Sequence, residues 1–205
     1  MGNNECTKLE MIIIGITGGT GSGKSTALRT AEGLGALALD CDKIYHELLA
    51  RSDKLKTELS LRFRGVLSGG DIDRKKLGEI VFSDSSALAD LNSITHKYVA
   101  EEVDRRIAEW ELQGGSIAVI EAIALIESGR SQKCNVVIGV TAPKELKVKR
   151  IMDRDGLTRE QAERRIDAQR PDSFYTENCD RILDCAYNDV EEFEEICKSF
   201  FSQFF

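Results

Sequence analysis

The sequence has no apolar run approaching the roughly 20 residues that a membrane-spanning helix needs. It has only two histidines, His46 and His96, and no pair among its six cysteines has C-x-x-C spacing. Neither histidine has a nearby cysteine or second histidine that would complete a zinc site. Internal repeats and low-complexity segments are also absent. These absences exclude a membrane-spanning or zinc-finger protein and favour a globular protein with reduced, mostly buried thiols.

Length and charge narrow the class of protein further. A chain of 205 residues is long enough for one sizeable core or for a core with subdomains. Its 28 basic and 35 acidic residues give a formal charge of −7, which argues against nucleic-acid or anionic-membrane partners. We therefore expect a cytoplasmic protein that acts on a small molecule, as a monomer or a weak homo-oligomer.

The sequence from residue 12 to residue 26 contains a phosphate-loop motif. An apolar run leads into Gly18, and Gly23, Lys24 and Ser25 complete the pattern G-x-x-x-x-G-K-[ST]. Glycine lets several backbone N–H groups approach a phosphate chain closely. The following helix directs its N-terminal dipole at the same anion. The motif predicts binding of a nucleoside triphosphate, rather than an ordinary glycine-rich turn with a surface lysine.

Each residue of this loop has an expected role. Lys24 is expected to reach the β and γ phosphates, and the Ser25 hydroxyl to ligate Mg²⁺. The residues predicted to bind ATP are Gly19, Thr20, Gly21, Ser22, Gly23, Lys24, Ser25 and Thr26.

Apolar runs separated by helical patterns predict an α/β fold of the phosphate-loop type, with three layers and a five-stranded parallel sheet. The strands are expected at residues 11–16, 36–39, 117–121, 135–140 and 182–186. About 75 residues between the second and third strands show no clear strand and have a helical pattern. We interpret the chain as one domain with a core, a helical acceptor-binding insertion and a lid. The core covers residues 11–49, 113–150 and 178–205, the insertion about 50–112, and the lid about 151–177.

Carboxylates follow two of these predicted strands. Asp40 and Asp42 close the second strand, and carboxyl ends of parallel strands face the ligand crevice of an open sheet. Asp42 is the candidate base for an acceptor hydroxyl, with Asp40 as a supporting carboxylate. The simpler alternative is that Asp42 is a solvated helix N-cap. Glu121 ends the third strand, where an acid can order Mg²⁺, and Glu127 follows as a candidate for the acceptor pocket.

Arginines follow the fourth predicted strand. Arg150 and Arg154 share one helix face, and Arg159, Arg164 and Arg165 come after them. Such guanidinium groups can neutralise charge on a transferring phosphoryl group, so Arg154 is a candidate catalytic residue and Arg150 a candidate ATP ligand. The alternative is a solvated face whose charges are balanced by acidic neighbours.

Several blocks together resemble the dephospho-CoA kinase family. They are residues 17–26, Asp40-Cys41-Asp42, the DRKKL block from Asp73, the LNSITH block ending at His96, and Arg150-x-x-x-Arg154 with Gln161 and Gln169. The sequence departs from the family pattern at three places. Lys97 stands where proline is usual, and residues 121–127 lack the usual Pro-Leu-Leu. Cys185 or Asn188 stands where the family has an asparagine near the last strand. The resemblance covers nearly the whole chain.

The resemblance implies transfer of the ATP γ-phosphoryl group to the ribose 3′-hydroxyl of dephospho-CoA, with Mg²⁺ as cofactor. Its implied acceptor-binding residues are Thr17, Asp40, Arg74, His96 and Glu127. Another nucleoside or nucleotide kinase, or an inactive nucleotide-binding regulator, are the alternatives that stay open on the residues alone.

Overall fold

Buried β-branched runs form the centre of the sheet in the computed structural model, which describes residues 11–187 and 189–205. The strands within this part of the chain are β1 (Ile12–Thr17), β2 (Leu37–Asp40), β3 (Leu67–Ser68), β4 (Asp71–Ile72), β5 (Ile117–Glu121), β6 (Val136–Thr141) and β7 (Arg181–Asp184). The α-helices are α1 (Lys24–Gly33), α2 (Cys41–Arg51), α3 (Asp53–Arg62), α4 (Arg74–Ser83), α5 (Ser85–Leu112), α6 (Lys144–Asp155), α7 (Arg159–Asp167), α8 (Asp172–Asn178) and α9 (Val190–Phe201).

The main sheet has the strand order β2-β5-β1-β6-β7. β1 lies at its centre and pairs in parallel with β5 and β6, and β6 pairs in parallel with β7. Ile14 and Ile16 on β1 are fully buried, because helices cover both faces of such a sheet. The predicted α/β fold with a five-stranded parallel sheet is therefore confirmed.

Contacts divide the chain into two compact units. The first contains the chain up to Leu39 together with Ile107–Phe205, and the second is Asp40–Arg106. The core of the first unit packs the sheet against α1 and α9, where Phe193, Cys197 and Phe201 are buried. α6 and α7 add a small cluster around Val148, Ile151 and Ala162. The predicted division into core, insertion and lid remains a prediction.

The second unit has its own core. Leu55 and Leu59 on α3 are fully buried and pack with Phe63, Leu77 and Val81. Sequence patterning missed one feature here, because β3 and β4 form a short antiparallel hairpin where no strand was expected. Two-residue strands are too short to show alternation, and Gly69 and Gly70 with positive φ make the turn between them.

A capping box marks the start of α7. The Thr158 hydroxyl accepts from the Gln161 N–H, and the Gln161 side chain accepts from the Thr158 N–H. Helix α8, which begins directly after Pro171, was not predicted. No helix in the described ranges combines the length and the apolar character that crossing a membrane requires.

Candidate active site

The loop between β1 and α1 depends on glycine at three positions with positive φ, Gly18, Gly21 and Gly23. A Cβ on Gly18 would collide with the Val140 carbonyl oxygen. A Cβ on Gly23 would lie 2.8 Å from the Cys185 Sγ. The loop thus has a backbone geometry that L side chains rarely adopt, and glycine-rich turns of this kind offer backbone N–H groups to anions.

Lys24 and Glu121 lie together at the carboxyl ends of β1 and β5. The Lys24 Nζ donates to the Gly19 carbonyl oxygen at 3.0 Å and lies 4.0 Å from the Glu121 Oε1. Their side chains are 7% and 12% exposed. The Lys24 amino group therefore lies buried inside the loop, where a phosphate oxygen can meet it, with the Glu121 carboxylate at its side.

Hydroxyl groups of the loop differ in their surroundings. The Ser22 Oγ is buried and makes no hydrogen bond with the described residues. Ser25, by contrast, is exposed at the start of α1. The exposed hydroxyl of Ser25 and the Glu121 carboxylate, which lies beside Lys24, are oxygen ligands of the kind that Mg²⁺ prefers, so their chemistry fits the predicted metal.

Arg150 is directed at the backbone of the loop. Its guanidinium donates to the Gly21 carbonyl oxygen at 3.1 Å and to the Tyr187 carbonyl oxygen at 2.8 Å, and it lies 3.2 Å from the Cys185 Sγ. These contacts join α6, the loop and the segment after β7. In this structure Arg150 supports the loop from beside it, a positioning contact that the sequence did not indicate.

Arg154 lies one turn further along α6 and is 57% exposed. Its guanidinium makes two hydrogen bonds to the Asp155 carboxylate, at 2.8 and 3.0 Å. Asp155 also accepts from Arg165. Arg154 is the more exposed partner of this bidentate pair, since the Asp155 side chain is 24% exposed.

Two residues predicted to bind the acceptor make protein contacts in the first unit. The Thr17 hydroxyl is buried and donates to the Ile123 carbonyl oxygen at 2.9 Å. Glu127 is exposed and accepts from Arg170 at 3.4 Å. Thr17 thus fixes the segment after β5, and Glu127 links that segment to the residue that precedes Pro171.

Comparisons with known proteins agree with this geometry. Residues 12–191 match the family model CoaE, dephospho-CoA kinase. The chain belongs to the dephospho-CoA kinase family. The dephospho-CoA kinase of Geobacter sulfurreducens is 42% identical over 163 residues, which covers 78% of this chain and 83% of the relative.

The solved structures similar to this chain include a member of the same family. The dephospho-CoA kinase from Campylobacter jejuni aligns with a TM-score of 0.68 and 29% identity, over 94% of this chain and 96% of that one. The protein TT1252 from Thermus thermophilus aligns with a TM-score of 0.80 and 31% identity, over 96% and 99%. The predicted family and kinase function are confirmed, so the chain is an ATP-dependent phosphotransferase.

The second unit contains the other predicted residues of a dephospho-CoA kinase site. The Asp40 carboxylate caps α2 by accepting from the Lys43 N–H at 3.0 Å, and Asp42 is exposed in the first turn of that helix. The cap is therefore Asp40, and the simpler role weighed for Asp42 belongs to its neighbour. That leaves the Asp42 carboxylate without a capping hydrogen bond of its own.

Arg74 and His96 lie on two further helices of this unit. Arg74 begins α4, and its charge partly offsets the burial that raises the pKa of Tyr45. His96 lies on α5, where desolvation lowers the pKa of its imidazole, so the ring is neutral at pH 7. A neutral imidazole can both donate and accept a hydrogen bond.

Besides the Arg150 contacts, sequence reasoning missed two further contacts in the first unit. The Gln169 Oε1 accepts from the Thr20 N–H at 2.7 Å, although Gln169 was noted only as part of the family pattern. Lys147 is buried and pairs with Asp172. Its charge within a helix gave no signal of burial; only the apolar neighbours Val148 and Ile151 hinted at it. Asn188, one candidate for the missing asparagine, lies outside the described residues.

Proposed function

We propose that this chain transfers the γ-phosphoryl group of ATP to the 3′-hydroxyl of dephospho-CoA, with the phosphate loop as the donor site and Asp42 as the base. The observation that carries the donor site is the buried Lys24, held 3.0 Å from the Gly19 carbonyl oxygen inside a loop of positive-φ glycines. Such a loop presents several N–H donors and one ammonium to a polyphosphate.

In the transfer, the acceptor oxygen forms a bond to the γ phosphorus as the bond to the ADP oxygen breaks, and the hydroxyl proton passes to the Asp42 carboxylate. Lys24 and Arg154 stabilise the charge on the moving phosphoryl group. Arg74, His96, Thr17, Asp40 and Glu127 are assigned to the acceptor side. Arg150 is assigned to ATP binding, and its hydrogen bonds to the Gly21 and Tyr187 carbonyl oxygens support the loop that receives the nucleotide.

Ser25 and Glu121 are the residues that would hold Mg²⁺. When bound, the ion neutralises charge on the phosphate oxygens. The exposed Ser25 hydroxyl and the 12% exposed Glu121 carboxylate support this assignment, since both are oxygen ligands beside the phosphate loop.

The acidic net charge supports the further prediction that neither nucleic acid nor an anionic membrane is a partner. A cytoplasmic location and a monomeric or weakly oligomeric state remain predictions from the sequence.

The test is a coupled ADP-release assay with Mg-ATP and dephospho-CoA, with the product identified as coenzyme A by mass spectrometry. We expect ADP release that depends on dephospho-CoA. Phosphorylation of a nucleoside but not of dephospho-CoA would overturn the acceptor assignment. ATP binding without any product would favour a regulatory role and overturn the catalytic one.

A further inference from the structure

The segment that joins α7 to α8, residues 167–172, is tied down by charged contacts on both sides of Gln169. Asp167 pairs with Lys144 at 2.5 Å, and Arg170 pairs with Glu127 at 3.4 Å. Asp172 pairs with the buried Lys147 at 2.8 Å. These three contacts fix the course of the segment and set the position from which Gln169 reaches the phosphate loop.

Gln169 itself contacts the outer part of the loop. Its Oε1 accepts from the Thr20 N–H at 2.7 Å, across 149 residues of sequence. A Cβ placed on Gly19 would lie 3.4 Å from the same oxygen. The amide oxygen is therefore in contact with the backbone at Gly19–Thr20, and the side chain that carries it is half-buried.

The chemistry of this contact resembles that of a bound phosphate. A phosphate loop works by donating backbone N–H groups to phosphate oxygens. An amide oxygen is an acceptor of similar size at the same hydrogen-bond length. One N–H group cannot make a full hydrogen bond to two acceptors at once, so Gln169 and a phosphate oxygen compete for Thr20.

We propose that the Gln169 side-chain oxygen holds the place of a phosphate oxygen at the Thr20 N–H, and that a bound polyphosphate displaces it from this N–H while the ion pairs on either side keep the segment in place. The inference rests on the phosphate loop being the polyphosphate site of the proposed function. It does not depend on the identity of the acceptor.

The test measures binding of Mg-ATP and of tripolyphosphate by calorimetry, without acceptor, to the parent and two variants. Gln169→Met keeps the length of the side chain and removes the acceptor, so both ligands should bind about fivefold more tightly, the value of one net hydrogen bond. Gln169→Glu keeps an oxygen that accepts more strongly and repels the anion. Its affinity for both ligands should fall by about tenfold.

The two variants should change the affinity for the ligands in opposite directions, which a merely structural role of Gln169 would not produce. Gln161→Met makes the same chemical change at the capping box of α7 and should tighten neither ligand, and thermal unfolding verifies that each variant folds. Weaker binding in both Gln169 variants, or a change below about twofold in Gln169→Met, would overturn the proposal.

A second measurement needs no nucleotide. Amide hydrogen exchange at Thr20 should be slow in the parent and faster in Gln169→Met, because the acceptor of that N–H is gone. Equal exchange rates would overturn the proposal. Failure of the parent to bind Mg-ATP would instead count against the proposed function, so the two failures are distinguishable.

Discussion

Lys147 and Asp172 form a bidentate salt bridge that joins α6 to the first residue of α8. The Lys147 Nζ lies 2.8 and 2.9 Å from the two carboxylate oxygens of Asp172. The lysine side chain is 7% exposed and the aspartate 37%. One partner is thus buried while the other reaches water, and this asymmetry determines which of the two is costlier to lose.

Asp172→Asn should destabilise the protein more than Lys147→Met. The first change leaves a buried ammonium without its anion and should cost about 2 kcal/mol, whereas the second leaves a carboxylate that water can solvate and should cost about 1 kcal/mol. The double variant should be more stable than Asp172→Asn alone, because no buried charge remains. Urea unfolding at pH 7 measures all three, and equal costs for the two single changes would contradict the argument.

Gly23→Ala should disrupt the phosphate loop. The new Cβ would combine a φ of +109° with contacts of 2.8 Å to Cys185 and 3.0 Å to the Phe193 ring. We expect a loss of about 3 kcal/mol in unfolding free energy and of measurable Mg-ATP binding.

Gly129→Ala is the matched control for this change. Gly129 also has a positive φ, of +74°, but nothing lies within 4 Å of its added Cβ. It should lose only about 1 kcal/mol from backbone strain. Similar losses at the two glycines, measured by thermal and urea unfolding, would mean that packing against Cys185 and Phe193 does not matter.

Glu102 gives the second unit an acid-sensitive contact. Hydrogen bonding from Arg105 lowers the pKa of this carboxyl to about 2, with burial opposing and Arg106 adding to the effect. Because the folded pKa lies below the ordinary 4.5, the stabilisation is present above pH 4.5 and disappears as the pH falls towards 2.

Glu102→Gln should therefore lower the melting temperature at pH 7 and converge with the parent near pH 2. Glu101→Gln, one residue earlier on the exposed face of α5, should change little at either pH. Calorimetric scans from pH 7 to pH 2 measure the effect. A constant difference between Glu102→Gln and the parent across this range would exclude ionisation as its cause.

Runs of apolar residues along the chain were enough to predict the strands of the main sheet. β5 was expected at residues 117–121 and is found there, because four consecutive apolar residues and a closing glutamate come soon after Gly114-Gly115. The β3–β4 hairpin was not predicted, because two-residue strands are too short to show an alternation of apolar and polar residues. The contacts of Gln169 with Thr20 and of Arg150 with Tyr187 join residues 149 and 37 positions apart. Such contacts depend on tertiary packing, which a pattern along the chain does not encode.

Asp42→Asn should abolish turnover while leaving Mg-ATP affinity unchanged. The Asp42 carboxylate is exposed in the first turn of α2, and the capping hydrogen bond there is accepted by Asp40 from the Lys43 N–H. Its removal should therefore cost little stability, about 0.5 kcal/mol from the lost interaction with the helix N-terminus. Loss of a general base should lower kcat by about 10³-fold. Asp53→Asn changes an exposed carboxylate in the first turn of the next helix and should leave kcat unaffected. If Asp42→Asn formed coenzyme A at the parent rate in the same assay, the proton would have another acceptor, and the role assigned to Asp42 would be wrong.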